Sequence, residues 1–203
     1  MPDLSDKVFV ITGGNGGIGL GLAEGIAEVG GSVAIWARNK EKNADAVKIL
    51  EDLGVEARSY VCDVSREEEV VATLSATVND FGRLDGLFAN AGRAGTGTPF
   101  VDTSLESWRK VTAVNLDGVF LCLREAAKQM ISQGSGGSLI AVSSTSAIHG
   151  AAGNEAYGTA KTAVTGLVRA LAVSLARFQI RVNCLLPGWT VTELASPAFE
   201  NEL

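Results

Sequence analysis

The chain has 203 residues, of which 46% are hydrophobic and 20% charged, and its formal net charge is −6. This length fits little more than one domain, and the composition excludes a disordered chain. The negative charge argues against a nucleic-acid partner, because binding a phosphate backbone requires basic residues. The 24 glycines are about 12% of the chain against a usual ~7%. Since they follow no collagen-like period, they indicate positions where the local backbone conformation requires glycine.

Three cysteines, Cys62, Cys122 and Cys184, lie far apart in the chain. Their odd number and wide spacing predict reduced core thiols of a cytosolic protein rather than a disulfide framework or a zinc site. With His149 as the single histidine, no metal site is expected. The start of the chain lacks the pattern of a signal peptide, and no run of 18 apolar residues is present, so a cytoplasmic protein without a membrane span is expected.

Short apolar runs alternate with amphipathic runs along the chain. The apolar runs predict strands at Lys7–Thr12, Ser32–Ala37, Val55–Val61, Arg83–Ala89, Ser138–Ser143 and Ile180–Leu186. Helical spacing predicts helices at Ile18–Val29, Lys42–Leu53, after Ser65, at Leu105–Ile131 and at Glu155–Phe178. This alternation predicts an α/β fold with a doubly wound parallel sheet between two helix layers, and a ligand crevice at the carboxyl ends of the strands.

Two of the helices have predicted buried faces. In the second helix the residues expected to point inward are Ala46, Ile49, Leu50 and Leu53. In the third helix the expected inward residues are Val70, Val71, Leu74, Val78 and Phe81. Ser65 and Glu68 have the spacing of a capping box for the third helix.

A glycine-rich turn joins the first strand to the first helix. It fits GxGxxG with Gly14, Gly16 and Gly19, and GxxxGxG with Gly13, Gly17 and Gly19. Either match alone is weak, because glycine-rich turns are common. At the first strand–helix turn, however, the pattern predicts a dinucleotide site in which backbone N–H groups and the positive helix end face a pyrophosphate.

The end of the second strand carries Arg38 and no acid before Glu41. An NAD-binding protein usually has an acid here for the ribose 2′-hydroxyl, whereas a planar guanidinium suits a 2′-phosphate, so NADP is preferred. A solvated arginine that opens a loop is the alternative. Asp63, after the third strand, is expected either to accept from an adenine amine or to cap a helix. Asn90-Ala91-Gly92, after the fourth strand, is expected to form a tight turn beside the nucleotide path, although as a turn alone it would be unremarkable.

Tyr157 and Lys161 are four residues apart on a predicted helix and therefore share one face. An ammonium near a phenol favours the phenolate and lowers the tyrosine pKa, as a general acid/base requires. Ser143 and Ser144 end the fifth strand, where a hydroxyl can donate to a substrate carbonyl or cap the loop. Asn115 lies within a long helix, which suggests a local polar role or a surface position.

These motifs, together with Pro187-Gly188-xxx-Thr192, resemble the short-chain dehydrogenase/reductase family, whose members have a Rossmann fold. The resemblance runs from about Lys7 to Thr192. It implies the glycine register with Gly13, Gly17 and Gly19, and it selects Ser144 over Ser143. It further implies a cofactor site formed by Gly13, Asn15, Gly17, Ile18, Gly19, Arg38, Asp63, Val64, Asn90, Ala91, Gly92, Tyr157, Lys161, Pro187, Gly188, Thr190 and Thr192.

The resemblance also implies a catalytic group. Tyr157 would be the acid/base, and Lys161 would bind the nicotinamide ribose and lower the tyrosine pKa. Ser144 would orient the substrate oxygen, Asn115 would hold a water for proton relay, and Thr192 would position the carboxamide. The reaction would be hydride transfer between nicotinamide C4 and a carbonyl carbon of a small molecule.

The sequence departs from the family pattern in two places. Ala89 replaces an asparagine that often precedes Asn90, which leaves the main contacts in place. After Thr192 the family continues through a substrate-covering segment, a further helix and a seventh strand, whereas this sequence ends at Leu203. We therefore expect one catalytic domain over residues 1–203, incomplete at its end and with six strands of seven. A homodimer through the long helices, or a homotetramer, is implied.

Three functions are compatible with this pattern. The first is an NADP-dependent ketone reductase or alcohol dehydrogenase. The second is an enzyme similar to 3-oxoacyl-carrier-protein reductases or sugar dehydrogenases that uses NAD. The third, of another class, is a nucleotide-binding module without turnover.

Overall fold

One parallel sheet organises the residues that the computed structural model describes, which are 3–95, 97–150 and 152–193. Its strands are β1 (Val8–Thr12), β2 (Ser32–Ala37), β3 (Ala57–Val61), β4 (Gly86–Ala89), β5 (Gly137–Val142) and β6 (Ile180–Leu185). They pair in the order β3-β2-β1-β4-β5-β6, and every pair is parallel. Strands β1 to β3 are added towards one edge of the sheet and β4 to β6 towards the other. The gap between β1 and β4 is therefore the switch point where doubly wound sheets bind ligands. The predicted fold class is confirmed.

Helices cover both faces of the sheet. They are α1 (Gly17–Ala27), α2 (Lys40–Asp52), α3 (Glu67–Phe81), α4 (Leu105–Thr112), α5 (Gly118–Gln133) and α6 (Glu155–Leu175). Asn39 caps α2 by accepting from the backbone N–H of Lys42, while α3 and α5 end at Gly82 and Gly134 in the left-handed conformation that favours glycine.

Alternate residues of the sheet belong to two separate cores. Val10, Ala34 and Trp36 pack in the core that contains the buried residues of α3, α5 and α6. Ile11 and Ile35 pack with α1 and α2. This period of two follows from the pleat of the strands, which sends successive side chains to opposite faces.

The predicted inner face of α2 is partly wrong. Ala46 and Leu50 are buried as expected, but Ile49 and Leu53 are 40% and 44% exposed. Asn43 is buried in their place, because its side-chain amide donates to the carbonyl of Ala37 at the end of β2. The buried side of α2 therefore includes a hydrogen-bonded polar residue and is not the most apolar side of the helix.

The face predicted for α3 has a similar error. Val71 is 45% exposed, whereas Thr77 is fully buried. The Thr77 hydroxyl donates to the carbonyl of Thr73 and accepts from the indole N–H of Trp36 at 3.0 Å. Because its hydrogen bonds are satisfied internally, this threonine occupies a core position that the sequence pattern gave to valine.

The predicted capping box before α3 is also wrong. The helix begins after Arg66, which makes no side-chain cap. The Ser65 hydroxyl instead donates to the carboxylate of Asp63 at 2.7 Å, and Glu68 forms an ion pair with Arg66. Because Ser65 and Glu68 bind these other partners, their spacing alone did not produce a capping box.

All three cysteines are free thiols, and Cys62 and Cys122 are buried as predicted. Burial raises the pKa of Cys62 to about 11, whereas Cys184 on β6 is only half-buried. Within the described ranges, no helix is long and apolar enough to cross a bilayer, and no cluster of three or more His, Cys, Asp or Glu side chains is placed to hold a metal ion.

Candidate active site

An open cleft of about 940 Å³ follows the carboxyl ends of the strands. Its size lies at the upper end of the range for pockets that hold small molecules and cofactors. Ser144 lines the cleft, and so does every residue predicted to bind a cofactor: Gly13, Asn15, Gly17, Ile18, Gly19, Arg38, Asp63, Val64, Asn90, Ala91, Gly92, Tyr157, Lys161, Pro187, Gly188, Thr190 and Thr192.

The glycine-rich turn forms one wall of the cleft. Gly13 and Gly17 have φ angles of +64° and +51°, which favour glycine, whereas Gly16 is extended with open space around it. A Cβ at Gly19 would overlap the carbonyl oxygen of Gly13 and the side-chain amide of Asn90. The backbone therefore requires the GxxxGxG register, and the missing side chains leave a cradle at the start of α1.

Asn90 joins this turn to the end of β4. Its Nδ2 donates to the carbonyls of Thr12, at 2.9 Å, and Gly13, at 3.3 Å. The Thr12 hydroxyl oxygen accepts from the backbone N–H groups of Asn90 and Ala91, both at 2.9 Å. The two predicted turns are thus one hydrogen-bonded unit beside the switch point of the sheet.

Asn15 is held by a residue that sequence analysis missed. Its Nδ2 donates to Oδ1 of Asn43 at 2.7 Å, and Nδ2 of Asn43 donates to the Ala37 carbonyl at 2.9 Å. This chain fixes the glycine turn against the end of β2. The available signal was an amide at an inward-facing position of α2.

Arg38 and Asp63 face each other at the far end of the cleft. The Arg38 side chain is 71% exposed, and its Nη1 lies 3.9 Å from Oδ2 of Asp63. Burial alone would raise the pKa of Asp63, but hydrogen bonds from Ser65 and the charge of Arg38 hold it below the usual value. Asp63 does not cap α3, because Arg66 occupies the cap position. It remains a charged acceptor on the cleft wall.

A second cation, Lys42, lies at the same end of the cleft. Its Nζ is 2.7 Å and 2.6 Å from the two carboxylate oxygens of Glu193, which also lines the cleft. The preceding residue, Thr192, lies 3.0 Å from the position of a Cβ at Gly17. The segment after β6 therefore passes the glycine turn and reaches the first turn of α2. Sequence analysis found neither Lys42 nor Glu193.

At the other end of the cleft, β5 meets α6. The Ser143 hydroxyl is buried and donates to the backbone carbonyl of Lys161 at 2.8 Å. Nζ of Lys161, a residue only 2% exposed, donates to the carbonyl of Val142 at 2.8 Å. Ser143 therefore anchors α6 to β5. Ser144 is the less buried of the two serines, and its Oγ accepts from the backbone N–H of Ser146.

The pKa of Tyr157 differs from the sequence expectation. Burial raises it above the usual value, and a hydrogen bond with Ser144 partly opposes the increase. Lys161 does not depress it in this arrangement, because the ammonium lies 5.5 Å from the centre of the tyrosine ring and donates to Val142. Burial lowers the pKa of Lys161 itself to about 8. Both side chains are thus biased towards their neutral forms.

Asn115 interrupts the helix predicted over Leu105–Ile131. A π-helical turn, Ala113–Asp117, separates α4 from α5, and Asn115 is fully buried in it. Its Nδ2 donates to the carbonyls of Arg93, at 2.8 Å, and Val111, at 2.9 Å, while its Oδ1 accepts from the Arg93 N–H. The local polar role is therefore observed and the surface alternative is wrong. Such wide turns often occur at functional sites.

The wall near Tyr157 includes further residues that the motifs did not indicate. Asn154 accepts from the backbone N–H of Gly95 through its Oδ1 at 3.0 Å, which docks the loop after β4 against the start of α6. His149 and Trp189 also line this end of the cleft, and the Trp189 residue is 74% exposed. Loop residues of this kind have no fixed spacing to Tyr157 and Lys161, so the sequence offered no signal for them.

Comparisons with known proteins agree with this geometry. Residues 7–203 match the family model for short chain dehydrogenases. The 2,5-dichloro-2,5-cyclohexadiene-1,4-diol dehydrogenase of Sphingobium indicum is 36% identical over 202 residues, which are 100% of this chain and 80% of that protein.

Two solved structures extend the comparison. An NAD⁺-bound xylitol dehydrogenase is 38% identical with a TM-score of 0.89, covering 93% of this chain and 72% of its own. The NADPH-dependent 3-quinuclidinone reductase of Rhodotorula rubra is 40% identical with a TM-score of 0.86, covering 95% and 73%. With the sheet order, the glycine turn and the cleft described above, these similarities show that the chain belongs to the short-chain dehydrogenase family of oxidoreductases.

Proposed function

We propose that the protein is an NADP(H)-dependent oxidoreductase that interconverts a small carbonyl compound and its secondary alcohol. The proposal depends on one observation. Ser144, Tyr157 and Lys161 line one end of the same cleft that carries the glycine cradle and an exposed Arg38 at the other. A dinucleotide along this cleft would have its adenosine near Arg38 and its nicotinamide near Tyr157.

The residues present fit this cofactor. Gly13 and Gly17 have positive φ, and a Cβ at Gly19 would overlap the Gly13 carbonyl, so the turn requires glycine at all three positions. Backbone N–H groups at the start of α1 suit a pyrophosphate. Arg38 would hold the 2′-phosphate, and Asp63 would accept from the adenine amine. The NAD⁺-bound neighbour makes NAD the second candidate cofactor. In that case Asp63 and the end of β2 would form hydrogen bonds with the free 2′-hydroxyl of the adenosine ribose.

Tyr157 would move the proton. When bound, the nicotinamide gives or takes a hydride at C4. In reduction the Tyr157 hydroxyl donates to the substrate oxygen, and in oxidation the phenolate takes a proton back. A phenol whose pKa is raised by burial is protonated at neutral pH, which suits the acid role. Ser144 would orient the substrate oxygen, and Lys161 would hold the nicotinamide ribose.

We assign Asn115 a positioning role. Its side-chain amide contacts backbone groups of Arg93 and Val111, so it fixes the loop after β4 next to the nicotinamide end of the cleft. The water relay that the family resemblance implies would then use groups oriented by this amide.

We also propose that residues 1–203 act as one catalytic domain and that the enzyme is a homodimer or homotetramer. Apolar side chains on the outer faces of α5 and α6 support an interface there, because Phe120 is 44% exposed and Val173 is 80% exposed. Sedimentation of the wild-type chain and of Val173→Asp tests it. A smaller assembly is expected for the variant, and a wild-type monomer would exclude the interface.

The cofactor is tested by thermal unfolding in the presence of NADPH or NADH. A ligand at about 100 times its Kd stabilises the folded state by about 2.7 kcal/mol. NADPH is expected to give the larger shift. A larger shift with NADH would assign NAD as the cofactor and remove the proposed role of Arg38, while leaving the oxidoreductase assignment unchanged.

Substrate class is tested next by turnover of an acetoacetyl thioester and of a panel of sugars and polyols. Activity with the thioester alone would indicate an enzyme similar to 3-oxoacyl-carrier-protein reductases, and activity with polyols a sugar dehydrogenase. Stabilisation by nucleotide without turnover of any compound would favour a binding module.

A further inference from the structure

The ion pair between Lys42 and Glu193 closes one end of the cofactor cleft. The two residues are 151 positions apart in the chain, and Nζ contacts both carboxylate oxygens at 2.7 Å and 2.6 Å. Their side chains are 46% and 86% exposed. A pair this exposed is worth little to stability, because solvent competes for both charges. It can therefore be exchanged for a stronger partner without loss of the fold.

The backbone of Lys42 is fixed, although its ammonium is exchangeable. Its N–H donates to the Asn39 side chain at 2.9 Å, which caps α2. Lys42 follows Arg38 by four residues, and both line the end of the cleft that begins at β2. The positive end of α2 adds to the same field. Two cations and a helix N-terminus thus surround this end, and Glu193 supplies a negative charge against Lys42.

We propose that Lys42 is a second cation for the 2′-phosphate of NADP(H), and that Glu193 is an internal competitor for it. A cofactor with a 2′-phosphate displaces the Glu193 carboxylate from Lys42, whereas a cofactor without one leaves the ion pair intact. The inference rests on the proposed function, because it requires the Arg38 end of the cleft to hold the adenosine ribose.

The charges favour the exchange. A phosphate monoester carries close to two negative charges at neutral pH and three acceptor oxygens, whereas the Glu193 carboxylate carries one charge and two oxygens. The phosphate can also contact Arg38 in the bidentate way that guanidinium groups favour. The 2′-phosphate therefore displaces the Glu193 carboxylate from Lys42. This competition lowers the affinity for NADP(H) and leaves the affinity for NAD(H) unchanged.

The exchange connects the Arg38 end of the cleft with the glycine turn. Glu193 directly follows Thr192, which lies against the glycine turn at Gly17. Release of Glu193 removes its ion pair with α2, while Thr192 stays beside the glycine turn. Binding of the 2′-phosphate to Lys42 is then coupled to loss of the contact between Glu193, in the segment after β6, and α2.

The experiment measures Kd for NADPH, NADH and 2′,5′-ADP by titration calorimetry at low and moderate salt. The variants are Lys42→Gln, Glu193→Gln and the double variant. Lys40→Gln and Glu41→Gln are matched controls, since both residues are exposed on the same turn of α2 and do not line the cleft.

Lys42→Gln is expected to weaken NADPH and 2′,5′-ADP about tenfold, equivalent to about 1.4 kcal/mol, and to change NADH less than twofold. Glu193→Gln is expected to tighten NADPH and 2′,5′-ADP severalfold at low salt and less at moderate salt, because salt screens exposed charges. It should have no such effect in the Lys42→Gln background. Both controls should bind like the wild type.

Three failures are distinguishable. If the wild-type protein does not bind 2′,5′-ADP and binds NADH more tightly than NADPH, the NADP assignment is overturned, and this inference with it. Wild-type protein that prefers NADPH, with Lys42→Gln no weaker than Lys40→Gln, would overturn the role of Lys42 alone. Equal tightening of NADH and NADPH by Glu193→Gln would show that Glu193 does not compete with the 2′-phosphate.

Discussion

Asn115 holds both backbone groups of Arg93, donating to its carbonyl at 2.8 Å and accepting from its N–H at 3.2 Å. The same amide also donates to Val111 in α4. The π-helical turn provides this arrangement, because Asn115 lies within the turn and is fully buried there. The loop that follows β4 is therefore held in place by a side chain from the helix behind it.

Asn115→Ala is expected to lower the free energy of unfolding by about 2 kcal/mol, because buried backbone groups lose their partners. Turnover should fall as well, since the loop lines the same cleft as Tyr157. Urea unfolding and steady-state kinetics measure the two effects. Asn79→Ala, at an exposed position of α3, is the control and should change neither. Equal stability of the two variants would contradict the role of Asn115.

The sequence predicted the sheet and the position of the cleft well. Strand β2 has the predicted bounds, Ser32–Ala37, because an uninterrupted apolar run between turn residues has few alternatives. The fourth strand is shorter, Gly86–Ala89 instead of Arg83–Ala89. Arg83 and Asp85 form an ion pair before it instead of continuing the pattern. Parallel strands place their carboxyl ends together, so the cleft followed from the strand order.

Contacts between distant side chains could not be predicted. Lys42 with Glu193, and Asn15 with Asn43, depend on how the chain closes around the cleft rather than on local spacing. The π-helical turn at Asn115 could not be predicted either, since the residues around it also fit the spacing of a continuous α-helix.

The need for glycine in the turn before α1 can be tested within one helix. Gly19→Ala should destabilise the protein and abolish stabilisation by nucleotide, because a Cβ there overlaps the Gly13 carbonyl. Gly21→Ala is the control, since Gly21 lies on the same helix with nothing within 4 Å of its Cβ position. It should stabilise the protein by about 0.5–1 kcal/mol, as alanine does in helices.

Thermal unfolding with and without NADPH measures both glycine variants. If Gly19→Ala kept the wild-type shift with nucleotide, the turn would tolerate a side chain and the cradle would be wrongly described. If Gly21→Ala also lost the shift, the loss would reflect α1 as a whole rather than the turn.

Lys161 predicts a dependence of stability on pH. Burial lowers its pKa from 10.5 to about 8, so between these values the unfolded chain binds more protons at this site than the folded chain. Stability from this group therefore rises with pH in that window. The burial penalty is fully present below pH 8 and absent above pH 10.5. A shift of this size corresponds to about 3 kcal/mol.

Urea unfolding of wild type and Lys161→Met between pH 7 and 10.5 tests the effect. The variant lacks the titrating group, so the stability of wild type relative to the variant should increase by about 3 kcal/mol from pH 8 to 10.5. Lys48→Met, at an exposed position of α2, is the reference for loss of a positive charge. A constant difference between wild type and Lys161→Met would mean that the lysine is not desolvated as described.

The chain contains two tyrosines, which makes the acid/base proposal directly testable. Tyr157→Phe removes only the hydroxyl that would move the proton, and general acid–base groups contribute about 10²–10⁴-fold to rate. A loss of kcat in this range is expected, with Kd for NADPH within about fivefold, since a hydrogen bond of a neutral group is worth about 1 kcal/mol.

Tyr60→Phe is the matched control. The Tyr60 hydroxyl donates to Asp80 at 2.7 Å, and Tyr60 does not line the cleft, so this variant should lose a little stability and keep full turnover. Single-turnover rates with NADPH and a ketone separate chemistry from release of product. If Tyr157→Phe retained near wild-type rates, the proton would have to come from another group, and Ser144 would be the next hydroxyl to replace. If both variants lost activity equally, the loss would follow from folding, because only Tyr157 lies beside the buried Lys161.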